Sequence, residues 1–439
     1  MPEDLSELYS RIEEGLGGAV RIRPMDEVRT PYHVRRPFGA MDLDIALAGG
    51  LPCGTVCQVF GPDGTGKNLL ANMLIAETQA ELGDHANIFY VTFGYKPDRD
   101  FMRKCGVKLR MTDDELQQRG IDPGTVSDAD RGESVGNVVF IDIRPMATTA
   151  DVDAPVAGAK KLTKEQKAAL KAAKRSKDDV DAAATAKEKP AELLLMSVVE
   201  LIASGRFHVG IIDEMASGET RDDIKKQLGE DARVATWASL MAQFSKKVYT
   251  ALRQNDTNGN PNSTCLLVLQ PVRANLDSYT SKFSPWVIPS GTAIKHIKAV
   301  DIHLKPGAPL LSGAARLKVG KLIQWKLAKG KHGLSEGAEG ELTFRFFRNG
   351  PGGTTTGGID RFLALVNAAK AYGTVKRRGP NYFILDYEDA ISGGIDGVAD
   401  VLRDNSEITR ELRAATLAAA LQNQPEEDSG DTSRNPTDG

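Results

Sequence analysis

Residues 61–68 read Gly61-Pro62-Asp63-Gly64-Thr65-Gly66-Lys67-Asn68, between a short apolar run (55–60) and a stretch with helical character (68–82). Strand, glycine-rich turn and helix in direct succession leave few options for the fold. The glycines let consecutive backbone N–H groups turn towards one point, the signature of a phosphate cradle. The helix adds its positive end there. Lys67 adds a point charge suited to the outer phosphates of a nucleoside triphosphate. The expected cofactors are ATP and Mg²⁺. In this pattern the residue after the lysine is usually Ser or Thr, whose hydroxyl ligates the metal; here it is Asn68. An amide oxygen also ligates hard cations, with a longer reach.

A second apolar run, Val209-Gly210-Ile211-Ile212, ends in Asp213. Downstream of a phosphate loop this reads as the strand whose carboxylate holds Mg²⁺, so Asn68 and Asp213 form the candidate metal pair. Further short apolar runs at 87–93, 138–143, 206–213 and 265–270 alternate with helical stretches. Such alternation predicts an α/β fold with a doubly wound, mostly parallel sheet.

The 439 residues allow two or three domains. We expect an N-terminal helix and linker at 1–36, a phosphate-loop NTPase core at 37–348, a small α+β domain at 349–421 and a disordered acidic tail at 422–439. Leu5, Leu8, Ile12 and Leu16 recur at helical spacing. That helix packs either on its own domain or on a neighbouring subunit. Residues 147–190 interrupt the core, being rich in Ala, Lys and Asp. Lys160, Lys164, Lys167, Lys171 and Lys174 share one helical face without an apolar counterpart. A solvated insertion and a DNA-contacting basic helix are both open readings.

The formal net charge of −3 announces no polyanionic partner, although local basic surfaces remain possible. Cys53, Cys57, Cys105 and Cys265 form no CxxC pair and read as reduced thiols. The first residues are acidic with no apolar stretch, and no run spans a bilayer. The expectation is a cytoplasmic protein with no membrane partner.

The segment Gly39-Ala40-Met41-Asp42-Leu43-Asp44-Ile45-Ala46-Leu47, followed by Gly49-Gly50-Leu51-Pro52-Cys53-Gly54, leads directly into the phosphate loop. It resembles the leader of the bacterial RecA recombinase family. Arg103-Lys104-Cys105-Gly106-Val107 resembles a second family segment, in the expected order. The resemblance places Gln270 at the family's nucleotide-sensing glutamine. It likens Gly291-Thr292-Ala293-Ile294-Lys295 to the close of the second DNA-binding loop. Lys329-Gly330-Lys331 is similar to a pair reaching the ATP of the adjacent subunit. Asp98 and Phe101 fall at adenine-contacting positions. The likeness covers about residues 1–420 apart from the insertion. It implies a helical homo-oligomeric filament on single-stranded DNA, with ATP between subunits, performing homologous pairing with double-stranded DNA. It also implies that the N-terminal helix links subunits and that the C-terminal domain contacts duplex DNA.

Two loops fit that implication on their own residues. Residues 271–289 interleave Arg273, Lys282, Phe283 and Trp286. Cations and rings in one loop suit a single strand; the other reading is a lid whose Phe283 and Trp286 pack on the core. A first loop near 218–233 carries Arg221, Lys225, Lys226 and Arg233, and a solvated charged turn is the other reading there. Lys295 closes the second loop.

The same register puts Gly94 where the family has its catalytic glutamate, and no carboxylate stands between Val91 and Tyr95. Glu214, directly after Asp213, is the replacement candidate for orienting water. Its other reading is an acid at a strand end. The candidate catalytic set is therefore Glu214, Lys67 and Gln270. A DNA recombinase is the expected function. The rivals are a related filament protein that binds ATP and hydrolyses it poorly, and a RecA-core helicase or circadian-type ATPase.

Overall fold

The computed structural model describes residues 5–17, 21–23, 25–142, 190–218, 234–255, 259–275, 286–288, 293–312, 315–349 and 355–422. Helix α1 (Leu5–Gly15) is followed by β1 (Arg35–Arg36), α2 (Met41–Ala46), β2 (Leu51–Pro52), β3 (Val56–Gly61) and α3 (Lys67–Leu82). Then come β4 (Asn87–Thr92), α4 (Arg99–Lys104), α5 (Asp113–Gln118), β5 (Asn137–Ile141), α6 (Pro190–Ala203) and β6 (Val209–Asp213). Helix α7 (Val234–Arg253), β7 (Cys265–Pro271), β8 (Arg273–Ala274), β9 (Trp286–Val287) and α8 (Ala293–Ile297) follow. The chain continues through β10 (Lys298–Ser312), β11 (Leu317–Gly330), β12 (Glu339–Asn349), β13 (Thr355–Ile359), α9 (Arg361–Ala371), β14 (Val375–Arg378) and β15 (Asn381–Ile384). It ends with α10 (Gly394–Asp404) and α11 (Ser406–Gln422).

Nine strands form the main sheet, in the order β13-β12-β11-β10-β3-β7-β6-β4-β5. From β10 to β5 all pairs are parallel, while β10 to β13 pair antiparallel. The fold is therefore α/β with a mostly parallel sheet. Strands β3, β4, β6 and β7 are buried on both faces, which is why they read as unbroken apolar runs. Side chains alternate between faces. Cys57, Val59, Ile88, Tyr90, Ile211 and Leu267 join the core beneath α3. Val56, Phe89, Val91, Ile212, Leu266 and Val268 join the core beneath α6 and α7. The polar residues that matter then fall at the carboxyl ends of these strands, where the burial pattern stops.

A third core gathers Leu365, Val366, Val398, Leu402 and Leu412 with Met41 and Ile45 of α2. The glycine-rich stretch near 349–353 precedes β13, which still pairs with β12 in the main sheet. The C-terminal helices are fastened to the core by charge. Glu77 of α3 is 5% exposed, and its carboxylate meets Arg361 of α9 and, at 2.6 Å, Arg413 of α11. All four cysteines are buried free thiols. Burial pushes the Cys53 thiol up to about 11 and that of Cys105 to about 12, so neither is poised to react. No helix among the described residues is long and apolar enough to cross a membrane.

Candidate nucleotide and DNA site

The phosphate loop leaves β3 at Gly61 and enters α3 at Lys67. Gly66 takes φ +92°, in the left-handed region, and a Cβ there would stand 2.8 Å from Ile323 of β11. Both facts call for glycine at this corner. Thr65 Oγ1 donates to the Pro62 carbonyl at 2.7 Å and tightens the turn. Lys67 is 8% exposed; its ammonium donates to the carbonyls of Gly61 (2.9 Å) and Pro62 (3.1 Å) and lies 3.6 Å from Asp63. The loop thus curls around its own lysine, with Gly64 at its apex.

Parallel pairing of β4, β6 and β7 brings three further groups beside this loop. Asp213 ends β6, and its Oδ2 accepts from Asn68 Nδ2 (3.0 Å) and from the Tyr90 hydroxyl (2.9 Å). Its Oδ1 is buried and has no partner among the described residues. Burial raises the Asp213 carboxyl above its ordinary range, against the two donated bonds, with Glu214 adding to the rise. Burial and Asp213 together push the Tyr90 phenol up, so Tyr90 stays a donor.

Asn68 divides between two atoms what a hydroxyl does with one. Nδ2 fixes Asp213, leaving the amide oxygen as the acceptor. Together with the orphaned Oδ1 of Asp213, this donor set suits a hard divalent cation. Gln270, next to last in β7, pairs opposite Phe60 and is fully buried, with both amide atoms unpartnered among the described residues. A buried amide left unsatisfied next to the loop is suited to a polar ligand.

Glu214 has φ 52° and ψ 43°, an uncommon conformation for a side chain of this type. Its carboxylate lies over Gly94: a Cβ on Gly94 would stand 2.0 Å from Glu214 Oε2. The carboxylate of one strand end thus fills the space left open at the other.

Asp98 caps α4, accepting from the backbone N–H of Asp100 (2.8 Å) and Phe101 (3.1 Å). Phe101 meets Phe347 of β12 edge-on at 5.8 Å. Phe347 also lines a cavity of about 520 Å³ with Leu69, Met73, Gly106 and Arg345, running along α3 downstream of the loop. The sequence reading missed Phe347, Tyr90 and Lys321, and the residues around each give no local signal. Lys321 of β11 donates to the Gly64 carbonyl at the loop apex.

Lys329 and Lys331 are not at this loop. Lys329 lies eight residues beyond Lys321 on β11, about 26 Å at strand spacing. Its ammonium donates to the Lys295 carbonyl at 2.8 Å. Both lysines are at least partly accessible.

Arg273 and Trp286 are brought together. They lie on the ribbon β8–β9, where Ala274 pairs with Trp286 and Arg273 with Val287. Arg273 is exposed and Trp286 is 41% exposed. The ribbon starts three residues after Gln270. Arg221, Lys225, Arg233, Lys282 and Phe283 lie outside the described residues, as do the lysine stripe at 160–174, Gly291, Thr292 and the tail beyond 422. The hairpin β14–β15 adds exposed Lys376, Arg377 and Arg378, with Arg378 over the Phe383 ring at 5.1 Å. None of the three has an ion-pair partner among the described residues.

No family model matches the chain. Among curated proteins it is 25% identical to Protein RecA of Thermus aquaticus over 411 residues, 93% of this chain and 91% of that protein. It is 24% identical to Protein RecA of Thermus thermophilus over 408 residues, covering 92% and 90%. Protein RecA of Pseudarthrobacter chlorophenolicus is 24% identical over 410 residues, covering 93% and 88%.

Proposed function

We propose, from the premise that this chain is a divergent member of the RecA family, that it binds ATP and forms a filament on single-stranded DNA that pairs with homologous duplex. The observation that carries the reading is a succession along the chain. Gln270, buried and without a partner among the described residues, stands beside the phosphate loop, and the exposed Arg273/Trp286 ribbon begins three residues later. A change at the phosphates has a short covalent path to a surface suited to bases and a sugar–phosphate backbone.

In this reading Lys67 and the loop N–H groups hold the phosphates. Asn68 and Asp213 hold Mg²⁺, which neutralises phosphate charge when bound, and Tyr90 keeps Asp213 oriented. Gln270 meets the terminal phosphate. Glu214 takes the proton of the attacking water. Asp98, Phe101 and Phe347 border the base. Lys329 and Lys331 are too far from their own loop and serve the nucleotide of the next subunit, while the Lys329 contact at Lys295 ties that nucleotide to the DNA loop. Lys376, Arg377 and Arg378 offer duplex DNA three exposed cations.

A second reading is favoured by Asn68 and Gly94: a filament protein in which ATP acts as an assembly ligand with little turnover. Strand exchange measured with ATP and with a non-hydrolysable analogue separates the two, ADP release being followed in parallel. The first reading expects DNA-stimulated ADP release. Equal exchange with both nucleotides and no ADP release supports the second. Failure to bind single-stranded DNA in any nucleotide state would sink both.

A further inference from the structure

The antiparallel register of β11 alternates Lys321, Ile323 and Trp325 on the face that covers α3 and the phosphate loop. Ile323 and Trp325 are buried there, and Ile323 closes on Gly66. An apolar residue at 321 would continue the pattern; a lysine stands there instead. Its ammonium sits on the Gly64 carbonyl, and no carboxylate pairs with it among the described residues. Burial, with Lys318 nearby, lowers its affinity for a proton. An unbalanced cation in a partly desolvated place is costly unless an anion balances it. The phosphate that such a loop would hold is such an anion.

The contact also has a direction. The Gly64 C=O and the Thr65 N–H belong to one planar trans peptide, so they point opposite ways. A cation on the oxygen polarises the peptide and strengthens the N–H as a donor on the other side. That N–H now makes only a long 3.4 Å bond to the Pro62 carbonyl, a weak competitor for a phosphate oxygen.

We propose that Lys321 is a positioning residue of the nucleotide site, which orients the Gly64–Thr65 peptide and adds a second lysine charge that favours a nucleoside triphosphate over a diphosphate. This rests on the phosphate-loop reading above and deepens it. The lysine comes from the antiparallel hairpin β10–β11, outside the strand–loop–helix unit, so hairpin and loop are set together.

The test compares fluorescent ATP and ADP analogues binding to the full chain and to K321M, K321R and K67A, with the ligand-free melting temperature of each. Methionine keeps the unbranched stem and removes the charge. K321M should weaken ATP binding about tenfold, the size of one charge-assisted hydrogen bond, and ADP binding by clearly less. K321R should restore most of the preference, and melting should be unchanged. Equal ATP binding by K321M and wild type overturns the proposal. So does an equal loss for ATP and ADP that K321R fails to rescue, which marks a simple brace. If K67A binds ATP as wild type does, the phosphate-loop reading fails with it; if only K321M is silent, the loop reading stands and this proposal alone falls.

Discussion

At Asp213 two neutral donors, Asn68 Nδ2 and the Tyr90 hydroxyl, converge on one carboxylate oxygen while the other stays open. The side chain is aimed before any ligand arrives, so less ordering remains to be done on binding. Glu214 follows it and bends back over Gly94 in a left-handed conformation. The chain turns there from β6 into the buried Met215, and the open space above Gly94 accommodates the carboxylate. If Glu214 accepts the proton of attacking water, Glu214→Gln should reduce DNA-stimulated ATP turnover about 100-fold, the size of a general-base contribution, while ATP affinity holds. Gly94→Ala should act in the same direction, since its Cβ would stand 2.0 Å from the carboxylate and displace it. Steady-state ADP release and equilibrium nucleotide binding check both variants. Unchanged turnover in Glu214→Gln would return Glu214 to an acid at a strand end.

Helix α3 joins two parts of the structure. Its first residue is Lys67 of the phosphate loop; ten residues on, Glu77 grips Arg361 and Arg413 of the C-terminal helices. Burial alone would raise the Glu77 carboxyl, but Arg413 and Arg361 outweigh it and hold it below the ordinary glutamate value. A lowered folded value means the contribution is present above the unfolded pKa and is lost as pH falls through the folded one. The fastening should therefore be intact at neutral pH and loosen only in acid. Glu77→Ala leaves two arginines without their shared carboxylate and should cost about 3 kcal/mol. Hydrogen exchange should then rise in α9 and α11 at neutral pH while β3, β6 and β7 stay protected. Uniform loss of protection would show instead that Glu77 supports the whole core. Strand β11 is a second joining element. It carries Lys321 at the chain's own loop and Lys329 about 26 Å away, so in the proposed filament one strand touches two successive nucleotide sites.

Across the whole molecule, what could be read from the sequence followed burial. Strands β3, β4, β6 and β7 lie in the sheet interior, and their apolar runs announced them; Lys67, Asn68, Asp213 and Gln270 followed because they sit at the ends of such runs. The antiparallel half does carry a strand pattern: Val300, Ile302 and Leu304 alternate with Asp301, His303 and Lys305 in β10, and Ile323, Trp325 and Leu327 with Gln324 and Lys326 in β11. What was not legible is its extent and pairing, because Pro306, Gly307 and Pro309 interrupt β10 and neither run names its neighbour. Lys321, Tyr90 and Phe347 gain their meaning only from strands that are neighbours in space. Helix α1 presents the converse case: an apolar stripe legible in the sequence that no described residue buries. None of its residues is buried; Leu5 is 61% and Ile12 39% exposed. A stripe at that spacing, left accessible by the described residues, is suited to docking. In the proposed filament its partner is the core of the next copy. Removing residues 1–17 should then leave the melting temperature of the core unchanged, because no buried contact is lost, while abolishing large assemblies on single-stranded DNA with ATP. Analytical sedimentation checks this, with DNA binding by the truncated chain as the companion measurement. A truncated chain that still forms wild-type assemblies would detach the helix from subunit contact and leave the filament to the strand surfaces carrying Lys329 and Lys331.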